Sequence, residues 1–377
     1  MAGLYRDATY WRWSTGMQLT RLPPAMAPLG YALLATELTG SYQLGGVLMA
    51  VFVIAEVLGA TPVSRLLDRI GVARGLRSLL VLAALCLSAL TGLLLFTDDR
   101  VPTATLFVLV AMPGSVAGAI SGGFRALLPY AAPAGALERA IAVDAVLMDL
   151  VILAGPLVVA GLANFGAPFA VGGMALAYLV AAVMVRSTTV RRPERTGAPF
   201  PVRAIARWLA CAFAVGQLLS VVEVGTLALA SRLSGGAGTA AALIAVVSGA
   251  SATAGICYAW LAPRLVIDAR ARARLCLLAL VAGGLVIAFA SGWPAILGGL
   301  TLLGIGTAPL VAIVALQLQQ VLPAHRRAEG FGVLQAVQGV GFGLGALSIA
   351  LLALPVSFLA GVFSCLVAFL ASCQKGG

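Results

Sequence analysis

The chain has 377 residues, 61% of them hydrophobic and only 10% charged, with a mean hydropathy of +1.06. That composition excludes a water-soluble globular domain and points to an integral membrane protein. The net charge of +11 therefore has to be read by position, because membrane proteins collect Arg and Lys in their cytoplasmic loops.

Apolar runs of roughly 20 residues, the length an α-helix needs to cross about 30 Å of hydrocarbon, recur along the whole sequence. They predict twelve spans, at residues 13–36, 42–63, 76–96, 103–125, 138–162, 166–185, 205–230, 237–262, 275–292, 294–318, 328–350 and 352–372. A β-barrel, with its short alternating segments, does not fit. The first run is long, is interrupted by Arg21, Pro23, Pro24 and Pro28, and lacks a cleavage site, so it reads as a span and not as a signal peptide. With the N-terminus inside, 21 of the 24 basic residues fall in inner segments; only Arg100 and Arg232 lie outside, and Arg21 is within span one. Both termini are expected to be cytoplasmic. Basic residues dealt out to alternate loops make no continuous patch for nucleic acid, so none is expected as a partner. All but Lys375 are arginine, which suggests a GC-rich bacterial coding sequence and hence a bacterial inner or plasma membrane.

Between spans two and three, Gly59 to Arg77 (GATPVSRLLDRIGVARGLR) reads as a basic, tight turn at the membrane surface. In span four, Gly114, Gly118 and Gly122 repeat every four residues, the spacing that lets helix backbones approach closely. Span eleven carries Gly339, Gly341, Gly343 and Gly345, suiting either a static close packing or a surface on which a neighbour slides. The one long polar segment, residues 186–204, divides an N-terminal six-helix bundle at 1–185 from a C-terminal one at 205–377. At an offset of 190, Pro133, Ala134, Val143 and Gly155 fall on Pro323, Ala324, Val333 and Gly345, and at a slightly different offset Asp68 and Arg74 fall on Asp268 and Arg274. Such repeated halves are how many secondary transporters are built.

The loop after span two resembles the signature loop of the major facilitator superfamily, written G-x-x-x-D-R-x-G-R-R. Asp68, Arg69, Ile70 and Gly71 keep its core; Ser64 stands where the leading glycine is expected, and the paired basic residues are reduced to Arg74. In span five, Gly155, Pro156 and Gly161 in AGPLVVAGL are similar to the helix-breaking Gly-Pro motif of the family's exporters. The resemblance implies two six-helix bundles around one site that opens alternately to each side. It also implies a conformational latch of Gly59, Asp68, Arg69, Gly71 and Arg74, in which the Asp68 carboxylate faces the N-terminus of span eleven, an interaction worth up to about 2 kcal/mol.

An ionisable group inside a span costs at least about 2.5 kcal/mol on insertion scales, so each needs a partner or a task. Arg21 lies too deep for easy snorkelling, and because the family fold places spans one and five side by side, an ion pair with Asp149 is expected there. Asp144 and Asp149 are five residues apart and cannot share one helix face; Asp144, nearer the inner end, suits a rim ion pair with Arg125 or Arg139. Glu56 could join the latch or hold a proton. Glu223, the only acid in a C-terminal span, with Gln217 two turns away, suits proton binding and release. Gln18 and Gln217 supply neutral polar company.

No catalytic cluster, phosphate-cradling loop or metal-ligand spacing is present, the six cysteines show no pairing, and His325 lies in a loop beside Arg326 and Arg327, so neither an enzyme, a cofactor nor a metal is expected. The sequence supports a monomeric secondary transporter in the lipid bilayer, exporting a small amphipathic or hydrophobic compound in exchange for protons. A transporter of an organic anion bound near Arg21 is the second reading, and a transport-inactive receptor or scaffold with the same fold is the third.

Overall fold

A computed structural model describes residues 7–39, 43–96, 101–185, 201–232, 237–264, 267–290 and 292–373. Among them are twelve long helices: α1 (Ala8–Thr39), α2 (Gln43–Ile70), α3 (Val72–Phe96), α4 (Thr103–Ala131), α5 (Leu137–Ala163), α6 (Ala167–Met184), α7 (Val202–Arg232), α8 (Ala237–Leu261), α9 (Ala269–Ala288), α10 (Trp293–Val321), α11 (Arg327–Leu351) and α12 (Leu354–Cys373). Each expected span corresponds to one helix. All but α1 are long and apolar enough to cross a membrane. The exception carries Arg12, Arg21, Glu37 and three prolines along its 32 residues.

Several helices run past the expected span ends, and this changes the reading of the signature loop. α2 stays helical to Ile70, so the loop is a single residue, Gly71, at φ +98°. Its amide donates to Leu67 O at 3.0 Å, and its carbonyl accepts from the Gly75 amide at 2.9 Å. Only glycine adopts that φ without strain. The expected surface turn is thus the last turns of one helix and the first of the next, with Arg65, Asp68 and Arg69 fixed on helical geometry.

The Gly155-Pro156 motif does not break α5, which continues to Ala163. A proline costs a membrane helix one N–H, and neighbouring groups absorb the freed carbonyl. What the motif does locally is bring α5 onto α1: a side chain at Gly155 would stand 2.6–2.7 Å from the backbone of Ala25. The central segment is shorter at its far end than expected, since α7 begins at Val202; residues 186–200 lie outside the described residues.

The chain forms two compact units. The first is Met1–Ala134, Leu150–Ala198 and Pro323–Ala336; the second is Gly135–Asp149, Pro199–Leu322 and Val337–Gly377. The division departs from chain order at two places, where residues 137–149 of α5 belong with the second unit and residues 327–336 of α11 with the first. Within the first unit α2 packs on α4, α3 on α4 and α6, and α1 on α2, α4 and α6. Within the second, α8 packs on α10, α9 on α10 and α12, and α7 on α8, α10 and α12. The two sets are the same pairing scheme shifted by six helices, the packing counterpart of the weak repeat in the sequence.

Candidate functional site

In the first unit the start of α11 lies along α2 and α4. On α2, Glu56, Ala60, Ser64 and Asp68 recur every fourth residue and form one ridge. Facing them on α11 are Gln335, Gly332 and Ala328, in antiparallel order. In the middle of this seam Gly332 lies against Ser64 and the Ala60 carbonyl, so close that a side chain there would meet Ala60 O at 2.5 Å and Ser64 Cβ at 2.6 Å. Gly118 and Gly122 of α4 line the other side, against Gln335, Gly332 and Phe331. Small residues on each of the three helices, Ala60 and Ser64, Gly118 and Gly122, and Ala328 and Gly332, let their backbones converge. The residue before Asp68 in the ridge is Ser64 because it faces a helix with no room for more.

Polar groups close both ends of the seam. At the α2 C-terminus the Asp68 carboxylate accepts from the amides of Ala328, at 3.3 Å, and Glu329, at 2.7 Å. These belong to the first turn of α11, whose amides have no partner within their own helix. Asp68 therefore acts as an N-cap supplied by another helix, with its charge at the positive end of the α11 dipole. Glu329 is in turn held by Arg65, Nε to Oε1 at 2.8 Å; Arg65 is 55% exposed, so this ion pair adds little. Arg125, buried in α4, has its guanidinium 6.0 Å from the centre of the Phe331 ring. Deeper in the span, the Gln335 amide donates to Glu56 Oε1 at 3.3 Å.

The other residues of the expected latch have separate duties. Gly59 packs on the backbone of Ser115 in α4, Gly71 makes the turn, and Arg69 and Arg74 are exposed. The echo at Asp268 and Arg274 does not reproduce the arrangement. Asp268 precedes α9 without a side-chain cap, and Arg274 Nε donates to Arg270 O of its own helix at 3.3 Å.

Arg21, half-buried in α1, donates through Nη1 to Gln18 Oε1 at 3.1 Å. Arg21 lies in the first unit and Asp149 in the second. Within the second unit Glu223 has company that the sequence reading overlooked: Asp149 of α5 is within its electrostatic reach. Comparing acids only within the C-terminal half concealed this, because residues 137–149 of α5 pack with that half. Asp144, in the same part of α5, is buried. Gln217, buried in α7, accepts from the Ser364 hydroxyl of α12. Beside that pair is an apolar cavity of about 370 Å³ lined by Phe213, Val337, Phe363 and Ser364 among others. Among the described residues no group of three or more His, Cys, Asp or Glu side chains could hold a metal ion.

The family model of the Major Facilitator Superfamily matches residues 19–346. The chain belongs to the major facilitator superfamily. Solved structures of this superfamily's architecture superpose over nearly the whole length. A bacterial homologue of the iron transporter ferroportin, in an outward-facing state, gives a TM-score of 0.79 at 17% identity, over 97% of this chain and 98% of that one. The human organic anion transporter TETRAN gives 0.77 at 16% identity, over 99% and 100%. The E. coli fucose:proton symporter gives 0.72 at 14% identity, over 97% and 100%. At these identities the likeness is one of fold. No curated protein sequence matches the chain significantly. As a member of this superfamily it is a multi-pass membrane protein.

Proposed function

We propose that the protein is a secondary active transporter working by alternating access, and that it exports a small amphipathic or hydrophobic compound in exchange for protons. The observation that carries the reading is the bond from the Asp68 carboxylate to the first amides of α11. A seam of small residues closed by a few polar groups at its ends can open and reseal without repacking large side chains, which is what a switch between two states requires. The arginine bias of the loops supports a cytoplasmic position for this latch. Export rests on the similarity of Gly155-Pro156 to the exporter motif. Glu223, with Asp149 within its electrostatic reach, is the proton-coupling candidate, and Gln217 of the same helix with Ser364 supplies polar contacts next to an apolar cavity.

Reconstituted into liposomes with an imposed pH gradient, the protein should move hydrophobic cations or neutral dyes, and Glu223→Gln should abolish the gradient-driven component. Flux indifferent to both removes Glu223 from the mechanism. A second reading, transport of an organic anion, is favoured by the half-buried Arg21 with its Gln18 partner in α1. Under that reading, flux of an aromatic carboxylate is lost in Arg21→Gln and retained in Glu223→Gln. No flux of any compound, together with tight binding of a partner protein, would instead support a receptor or scaffold.

A further inference from the structure

In the second unit two helices are seated on α7 by glycine contacts, Gly341 of α11 on Phe213 and Gln217, and Gly361 of α12 on Leu218. Where they part is the apolar cavity of about 370 Å³, with Leu209 and Phe213 of α7, Val337 of α11, and Phe363 and Val367 of α12 in its lining. Phe363 is 67% and Val367 46% exposed, and in the apolar stretch of a span such exposure is to hydrocarbon and not to water. The cavity is therefore a groove on the lipid side of the unit. The hydroxyl in its lining, that of Ser364, donates to Gln217, so the surface offered to an occupant is hydrocarbon. Because α7 begins at Val202 and α12 ends at Cys373, the lining lies about 9–16 Å inside that end of the bundle at 1.5 Å per residue. One leaflet's share of the hydrocarbon core is about 15 Å, so the groove sits at the depth of acyl chains.

Cations stand at the same end. Arg203, Arg207 and Ala210 follow one another at spacings of four and three along α7, which puts them on one face of the helix, and Ala210 lines the groove. Arg203 is exposed; Arg207 is half-buried, with Nη1 shut off from solvent and without a hydrogen-bond partner among the described residues. The first turn of α7 holds no acid to balance them, and the helix dipole disfavours a cation there. At the far wall Arg274 of α9 has Nη1 4.0 Å from Cys373 Sγ, in the last turn of α12. A guanidinium at the edge of the hydrocarbon calls for a counter-charge, and a phosphate meets its planar fork.

A slot for hydrocarbon beside unbalanced arginines matches the two parts of one molecule. We propose that the groove of α7, α11 and α12 binds an anionic phospholipid, with an acyl chain in the slot and its phosphate on Arg203 and Arg207. A zwitterionic lipid offers the same chain but carries its own cation, so the arginines select the headgroup. The lipid completes a wall that the three helices leave open. The site rests on the chain's place in a bilayer and not on the export reading.

Photolabelling of the full chain in phosphatidylcholine nanodiscs tests this without a substrate. Two probes, a phosphatidylglycerol and a phosphatidylcholine, carry the same diazirine midway along one chain and are added at low fraction. The phosphatidylglycerol probe should label residues 209–213 and 363–367 about ten-fold more than the other, an advantage that two arginines near a membrane surface can supply. Arg203→Gln with Arg207→Gln should bring the two probes to within about three-fold of each other, while Arg203→Lys with Arg207→Lys should keep most of the preference. Ala210→Trp, which fills the groove, should remove the labels from both probes; if it fails to fold, Ala210→Leu supplies the same comparison with a smaller effect. Labels confined to other residues, or equal labelling by the two probes in the wild type, overturn the site. Inorganic phosphate that lowers phosphatidylglycerol labelling to the phosphatidylcholine level would show the arginines holding a free anion and overturn it too. Displacement of the probe by a dye that the protein moves would assign the groove to substrate, and loss of the labels as the protein dimerises would assign it to a second copy; either overturns the lipid. Absence of flux in liposomes would remove the transport reading and leave the labelling comparison standing.

Discussion

Asp68 and Glu329 are both acids, yet they meet through the main chain, with the Glu329 amide 2.7 Å from Asp68 Oδ2. The like charges are tolerated because each has a different task. Asp68 satisfies amides that the first turn of a helix leaves without partners, while the Glu329 carboxylate is turned to Arg65. The signature of the superfamily thus reduces here to a capping interaction between helices, and its strength should follow the rules of caps and not those of ion pairs.

Asp68→Ala should therefore cost about 0.5–2 kcal/mol, the usual loss for a removed N-cap, and Asp68→Asn clearly less, since asparagine caps about as well as aspartate. Thermal unfolding in detergent and amide exchange at 328–336 measure the two. Equal losses for Asn and Ala would mean that charge, and not capping, holds the contact.

Gly332 tests the seam itself. Valine there would collide with Ser64 and the Ala60 carbonyl, and the neighbours are backbone and short side chains that cannot swing away. Overpacking of this kind costs about 1–3 kcal/mol. The start of α11 should come free, seen as faster exchange at 328–336 and easier labelling of a cysteine placed at Ala60. Gly343→Val is the control on the same helix, because nothing lies within 4 Å of a side chain at that position; it should leave both readouts unchanged.

Much of this architecture was legible in the sequence because a bilayer imposes one period and one length on every span. Apolar runs of the right length set the number and order of the helices, although span two, expected to end at residue 63, runs on to Ile70. What was not legible depends on which helices share a unit. Glu223 read as a lone acid, but residues 137–149 of α5 bring Asp149 within its electrostatic reach, a relationship that no spacing along the chain encodes. The cluster in which Glu138 of α5 accepts from Arg272 of α9 and Tyr258 of α8 was invisible for a related reason: its three members come from three helices. The helix break expected at Gly155-Pro156 from the resemblance to the exporter motif does not occur, since a membrane helix absorbs a proline that would end many soluble ones.

Trp13 joins α1 to α4 through a buried bond from its indole Nε1 to Phe124 O at 2.7 Å. Trp13→Phe keeps most of the ring and removes the second donor to a carbonyl that also accepts within its own helix. That should cost about 0.5–1.5 kcal/mol, read as a lower unfolding midpoint of the purified protein. A midpoint equal to wild type would mean that the indole bond contributes nothing to stability.

The end of α6 depends on two arginines from different helices. Arg12 of α1 donates through Nε to Met184 O at 3.0 Å and through Nη2 to Val183 O at 2.8 Å, and Arg77 of α3 donates through Nη2 to Val185 O at 2.7 Å. These carbonyls are among those a helix C-terminus leaves unpaired, and cations are favoured beside them. Each bond is near solvent, so Arg12→Ala and Arg77→Ala should each cost no more than about 1 kcal/mol. Arg12→Lys should recover only part of the loss, because an ammonium cannot reproduce the two-pronged contact. The last turn can survive on either arginine, since fraying needs its carbonyls released together. The double variant should therefore lose more than the sum of the single ones, seen as faster amide exchange at 181–185 and a lower unfolding midpoint. Strict additivity would show that each arginine holds its own carbonyls and that the turn is not a cooperative unit.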